Sequence, residues 1–408
     1  MKLATRLQLS AMMFLEFFIW GGWFVTLGTF LEKNYNASGT DSGAVFSTQS
    51  WGAIIAPFIV GLIADRYINA EKILGVLHLI GAALMYMMYK SESVGIFYPY
   101  TLAYMIVYMP TLALVNSVSF NQINNPEKEF SSIRIFGTIG WIVAGLSISF
   151  IFKWDAETNA ANGMLKNTFL LSGIASLVLG LFSFTLPKTP PKIKAGEKIS
   201  ISKILGLDAL KLLKDKNFAI FFISSILICI PLAFYYQNTH PFLTGIGVEN
   251  PTGKMTIGQA SEVLFLLALP LFFKKFGFKK TILVGMLAWA LRYALFAFGD
   301  AGSLSFMLII GIALHGVCYD FFFVSGQIYT DEKAGEQIRS AAQGMITLAT
   351  YGVGMLIGFW VAGQITQQYT VGTTADWKMI WLIPAGIAAV VLLIFFALFR
   401  DEKKTKEA

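Results

Sequence analysis

The sequence predicts an all-α membrane protein, with twelve transmembrane helices arranged as two pseudo-symmetric six-helix bundles. Three observations carry this expectation. The first is composition: 56% of the 408 residues are hydrophobic, 13% are charged, and mean hydropathy is +0.64. A soluble domain devotes about 25% of its residues to charge, so this chain cannot cover a water-facing surface. A soluble enzyme, a disordered chain and a secreted disulfide scaffold are excluded, while 36 Phe, 9 Trp and 37 Gly suit lipid-packed helices. The second is that apolar runs of spanning length recur twelve times. The third is that a short sequence pattern recurs at the same place in each half.

A helix needs about 20 mostly apolar residues to span a bilayer. Such runs lie near 9–31, 43–64, 72–90, 95–117, 132–152 and 168–187, then near 217–244, 256–273, 281–298, 303–329, 338–366 and 377–399. Alternating segments of about 10 residues, the mark of a membrane β-barrel, are absent from the sequence. The first run follows Lys2 and Arg6 and continues to about Leu31. It is too long for a cleaved signal and lacks a small-residue cleavage site, so it is expected to be the first span. Cys229 and Cys318 both fall inside apolar runs, where they are expected to pack as small hydrophobic residues.

Orientation follows from Lys and Arg. With the N-terminus in the cytoplasm, that side holds Lys2, Arg6, Arg66, Lys72, Lys128, the Lys-rich centre of the chain, Lys274–Lys280, Lys333, Arg339 and the tail beyond Arg400. The opposite side holds only Lys33, Lys90, Lys153, Lys166, Lys254 and Lys378. Both termini are therefore expected in the cytoplasm. The net charge of +7 collects in these loops and is not a nucleic-acid signal. The longest connection, 188–216, separates a bundle of residues 1–187 from one of 217–399, with 400–408 as a tail. This linker follows Pro187, contains Pro190 and Pro191, and ends in Ile204–Lys211, whose apolar residues at helical spacing suggest a short interfacial helix; a plain basic linker is the alternative. Glu127-Lys128 followed by Ile133-Arg134 recurs as Glu332-Lys333 followed by Ile338-Arg339, at the same loop of each half.

Between spans two and three lies Gly61-Leu62-Ile63-Ala64-Asp65-Arg66-Tyr67, echoed in degenerate form by Lys274-Lys275-Phe276-Gly277-Phe278-Lys279-Lys280. The first segment resembles the major-facilitator loop signature, although the later Gly of that signature is missing. The resemblance implies that Asp65 and Arg66 latch one conformation; a simple topogenic turn is the alternative. A six-plus-six repeat around a midplane site fits the same superfamily.

Longer stretches resemble one subfamily, the nucleoside:proton symporters. They include Trp20-Gly21-Gly22-Trp23, Met109-Pro110-Thr111-Leu112, Ile133–Gly140, Leu205–Ala209, Ser261-Glu262, Ala288–Asp300, Tyr319-Asp320-Phe321-Phe322 and Gln343-Gly344-Met345. The resemblance implies proton-coupled import of a nucleoside by alternating access in a bacterial inner membrane, with no cofactor other than the coupling proton, no nucleic-acid partner and a monomeric carrier. Carriage of a sugar or other small polar solute is the competing reading; a polytopic enzyme or channel is remote, since no catalytic cluster or phosphate-cradling motif occurs.

Ionisable groups inside spans point to function by default, because their burial in lipid is costly. Glu16, Arg134, Glu262, Arg292 and Asp320 are such groups. Arg134, Thr138 and Trp141 form one helical stripe offering a fork of donors, a hydroxyl and a stacking face. The resemblance places substrate contacts there; alternatively Arg134 closes the cytoplasmic mouth, as its repeat mate Arg339 is expected to do. Gln259 and Glu262 share a face and suit ribose hydroxyls or a base edge. His315 and Tyr319 also share a face and match family substrate positions, although Tyr is usual where His315 stands. Trp20, Trp23 and Phe234 are candidate stacking surfaces. Asp320, Glu262 and Glu16 are candidate proton carriers. Asp320 can alternatively pair with Arg292, and Glu16 can be a structural carboxylate. Pro231 and Phe234 occupy span-seven positions where the family has polar residues, and Pro231 is expected to bend or break that helix. His78 has no evident partner in the sequence.

Overall fold

The computed structural model describes residues 2–60, 67–123, 126–191 and 207–400. Asp65 and Arg66, most of the central linker and the tail beyond Arg400 lie outside them. The first half contains α1 (Leu3–Gly21), α2 (Leu27–Tyr35), α3 (Gly39–Ile59), α4 (Ala70–Lys90), α5 (Val94–Gln122), α6 (Pro126–Leu146) and α7 (Asn167–Ser183). A turn of π-helix, Ser147–Phe152, extends α6. The second half contains α8 (Lys216–Gly245), α9 (Pro251–Phe298), α10 (Ser305–Tyr319), α11 (Ser325–Thr347), α12 (Met355–Gln368) and α13 (Trp377–Leu398). A two-residue hairpin, β1 (Thr370–Val371) with β2 (Thr374–Ala375), joins α12 to α13.

Among the described residues ten helices are long and apolar enough to cross a membrane, and breaks inside two of the helices named above bear on the expected count of twelve. The 48 residues of α9 would measure about 72 Å at 1.5 Å per residue, more than twice the roughly 30 Å hydrocarbon core. Gly277, at φ 74°, breaks α9 in the middle of the Lys-rich segment that separates the eighth and ninth apolar runs. A second left-handed glycine, Gly335 at φ 64°, divides α11 between the tenth and eleventh runs. The first span differs from expectation. It is two helices, α1 and α2, joined by an irregular turn at Gly22–Thr26. The adjacent Gly21 and Gly22 weaken the helix there, and Thr26 donates its hydroxyl to the Trp23 carbonyl within the turn. Pro231 does not break α8, which runs unbroken from Lys216 to Gly245. The Tyr293 hydroxyl donates to the Pro231 carbonyl at 2.5 Å.

Within the first half α1 packs on α6, α4 on α7, and α5 on both α3 and α4. Within the second half α9 packs on α10 and α13, and α8 on α12 and α13. The principal contacts between halves are α3 with α12 and α6 with the first part of α9. Each joins the second span of one half to the fifth span of the other, the pairing that a two-fold relation between the halves requires. Of the expected interfacial helix, the described part is a 3₁₀ turn, Leu207–Lys214, with Ala209 buried. It leads to Asp215, which caps α8 through the Phe218 N–H (2.9 Å) and accepts from Lys333 (3.0 Å). Glu71, 3% exposed, anchors the start of α4 by accepting from Asn69 and from the Thr189 N–H.

Candidate substrate cavity

Between the halves lies a small pocket of about 20 Å³, lined by Phe24, Val25, Trp141, Gly145, Tyr235, Tyr236, Thr252, Met255, Thr256 and Gln259. That is far below the roughly 300–1,000 Å³ typical of ligand sites, so a bound ligand requires the halves to move apart. Its walls are aromatic, with a few polar groups.

On α6 the expected stripe forms: Arg134, Thr138 and Trp141 are partly exposed between buried neighbours Ile133, Gly137 and Gly140. The Arg134 guanidinium lies 4.1 Å from the ring centre of Phe17 on α1. Trp141 meets Trp20 edge to face at 5.6 Å. On α9 Gln259 lines the cavity. The partly exposed Glu262 carboxylate lies in the field of Arg134, yet makes no hydrogen bond or ion pair among the described residues.

The placement of α10 depends on a close helix contact. A Cβ on Gly316 would come within 2.5 Å of the Ser261 backbone, so only glycine fits there. The Gly316 N–H donates to the Ser261 hydroxyl at 3.0 Å. This brings His315, Tyr319 and Asp320 alongside Gln259 and Glu262. The Tyr319 hydroxyl pairs with that of Tyr351 at 2.5 Å. Asp320 begins a π-helical turn, Asp320–Val324, a distortion common at functional positions. It is 1% exposed, and neither of its carboxylate oxygens has a partner among the described residues. Arg292 does not reach it. The guanidinium instead donates to the Gly311 carbonyl and to His315.

Other expected site residues go elsewhere. Glu16 is buried inside the first half, 2.8 Å from His78 Nε2 and accepting from Thr111 at 2.6 Å. His78, without an evident partner in the sequence, holds Ser176 with its other nitrogen. Trp23 is fully buried against Tyr104 and Phe169, so of the two tryptophans only Trp20 approaches the cavity wall. Phe234 is fully buried as well; its neighbours Tyr235 and Tyr236 line the cavity. Arg339 approaches Asp331 of its own half, at 3.9 Å, with both side chains largely exposed. Asp65 and Arg66 are outside the described residues. Cys229 and Cys318 are buried free thiols, as expected.

Sequence reasoning did not find the contacts that seal one end of the cavity. The hydrogen bonds joining the halves between described residues lie at the end carrying Gly39 and Gln367. Asp155, 2% exposed, accepts from the Ser149 hydroxyl at 2.5 Å and from the Thr252 N–H at 3.0 Å. Ser149 in turn accepts from the Gly253 N–H at 2.7 Å. His240 bridges Thr252 (2.8 Å) and Thr29 (2.6 Å). The Gly39 N–H donates to Gln367 at 3.0 Å. Thr29 and His240 are 211 residues apart in the chain, and no local signal links such positions.

A family model described as nucleoside H+ symporter matches residues 1–404. The chain belongs to the nucleoside H+ symporter family. It is 42% identical over 407 residues to YegT of Escherichia coli (strain K12), covering 97% of this chain and 94% of that protein. It is 34% identical over 422 residues to the xanthosine permease of the same organism, covering 99% of each. A crystal structure of a mutant of the nucleoside transporter NupG superposes with a TM-score of 0.90 at 32% identity, covering 97% of this chain and 100% of that one. The protein therefore has the major-facilitator fold and is a membrane transporter, not an enzyme.

Proposed function

We propose that this member of the nucleoside H+ symporter family imports nucleosides across a bacterial inner membrane, driven by the proton gradient. The observation that carries the proposal is the cavity itself. Trp141, Tyr235 and Tyr236 line it with flat apolar walls suited to a base, with the Gln259 amide beside them, while Arg134, Thr138 and Glu262, further along the same two helices, are the other donors and acceptors that would meet a base edge and ribose hydroxyls. Flat surface for stacking a planar base is what favours this reading over carriage of a sugar.

The mechanism follows from the two halves. The Lys and Arg distribution puts both termini in the cytoplasm, which makes the end sealed by Asp155, His240 and Gly39 the outer one. The conformation is then inward-facing, and transport rocks residues 1–187 against 217–399. The Asp65–Arg66 loop latches the cytoplasmic side in the opposite state. Asp320 carries the coupled proton: a buried carboxylate without a protein partner is stable only when protonated or when a conformational change brings it a counter-charge or water. Glu262 hydrogen-bonds substrate and senses Asp320 electrostatically. The carrier works as a monomer, each cavity being complete within one chain. Uptake of labelled uridine into proteoliposomes tests the reading. Accumulation should follow an imposed pH gradient and collapse with a protonophore. Accumulation that survives the protonophore and follows sodium overturns the coupling.

A further inference from the structure

Arg292 is fully buried with no carboxylate paired to it among the described residues. An aromatic cage holds it instead: its guanidinium carbon lies 3.9 Å from the ring centre of Tyr235 and 5.5–5.8 Å from those of Trp289, Phe296 and Tyr293. Cation–π attraction strengthens when the charge is desolvated, which accounts for a buried cation without a counter-ion. Two of its N–H groups are committed. Nε donates to the Gly311 carbonyl at 3.1 Å, and an Nη lies 3.1 Å from Nδ1 of His315. His315 stacks on the same Tyr235 ring, with centroids 5.1 Å apart and planes 19° from parallel.

Arginine has donors only. The nitrogen facing it must therefore accept, so the His315 ring carries its proton on Nε2. A ring protonated on both nitrogens would set one donor against another at this contact. Nε2 has no hydrogen-bond partner among the described residues, and His315 is 3% exposed. His315 stands between Gly258, Tyr319 and the cavity-lining Tyr235.

We propose that Arg292 is a positioning residue that fixes His315 as an Nε2–H donor, so that the second half reads an unprotonated acceptor on the substrate, a carbonyl oxygen or a ring nitrogen lone pair. A tyrosine hydroxyl at this place would donate or accept with equal ease. His315 held by Arg292 only donates, which narrows the substrates accepted. The inference rests on the nucleoside reading for the identity of the ligand, but not for the tautomer.

The chain has three His, so ¹⁵N-histidine labelling followed by solid-state NMR resolves them. The signal removed by His315→Gln should show a protonated Nε2 and an unprotonated Nδ1 at pH 7; a protonated Nδ1 overturns the proposal. Arg292→Met should turn that signal into a mixture of tautomers, and an unchanged signal in a folded variant also overturns it. Calorimetry with uridine provides the functional readout. Gln places an N–H donor where Nε2 lies, whereas Asn reaches only as far as Nδ1. His315→Gln should bind within about twofold of the parent and His315→Asn about tenfold more weakly, the loss expected for one hydrogen bond. Equal losses for Gln and Asn refute a donor read at Nε2. If the parent protein binds no nucleoside while the NMR signature holds, the transport reading fails and the role of Arg292 stands.

Discussion

Replacing Asp155 by Ala should open the sealed end of the transporter. Asp155 accepts two hydrogen bonds through one carboxylate oxygen, and one of them, from the Thr252 N–H, crosses directly between the halves. The Ser149 hydroxyl that it orients makes the second crossing bond, to the Gly253 N–H. A hydrogen bond to a charged group contributes about 1.5–3 kcal/mol. Only bonds made in one conformation and lost in the other shift the equilibrium between them. Counting the crossing bond to Asp155 as one of these, its loss should move the ratio of sealed to open by about 10- to 150-fold. Spin labels at Lys33 and Val371, both exposed and one in each half at this end, report the opening by electron–electron resonance distances. The native thiols Cys229 and Cys318 are buried and should escape labelling. The distance distribution of Asp155→Ala should gain or enlarge a longer population. A distribution identical to that of the parent, in a variant that still binds substrate, would show that these hydrogen bonds do not hold the gate.

Further outcomes follow from the same geometry. Glu262→Gln or Arg134→Ala should weaken nucleoside binding by about 10- to 100-fold, read by calorimetry, because each removes a charged partner from the substrate. Asp320→Asn should abolish gradient-driven uptake in vesicles while sparing much of the binding and exchange; loss of binding as well would place Asp320 among the substrate contacts. Outside the spans, partial burial pushes the Asp215 carboxyl upward, but the Phe218 N–H and Lys333 outweigh it and hold it below its ordinary value of 3.8. The stability that Asp215 adds should therefore be present at neutral pH and vanish as pH falls through that lowered value. The gap in melting temperature between the parent and Asp215→Asn should persist near pH 6 and close in acid below about pH 4.

The spans were legible because lipid imposes a length and an apolar composition that any reader of the sequence can count. The α6 stripe was legible for a related reason: Arg134, Thr138 and Trp141 lie on one face by helical spacing alone. What escaped depends on pairs distant in the chain. Glu16 and His78 are 62 residues apart, and nothing near either shows that they meet inside one bundle and not at the cavity. Spacing places Trp20 and Trp23 on a similar face of an unbroken helix, but the turn at Gly22–Thr26 sends Trp23 into the core. The π-helical turns at Ser147, Asp320 and Leu348 change which residues face inward, and no propensity marks them. Pro231 reads as a bend or break from local rules alone, whereas prolines inside membrane-spanning helices are tolerated because their surroundings satisfy the freed backbone groups.

The central claim is that the cavity between the halves accepts nucleosides. Counterflow in proteoliposomes tests it most directly, with unlabelled nucleosides, free bases and sugars each preloaded and labelled uridine outside. Preloaded nucleosides should drive transient accumulation of the label, free bases and sugars should not, and Glu262→Gln should slow the exchange. Accumulation driven by sugars and not by nucleosides would contradict the account.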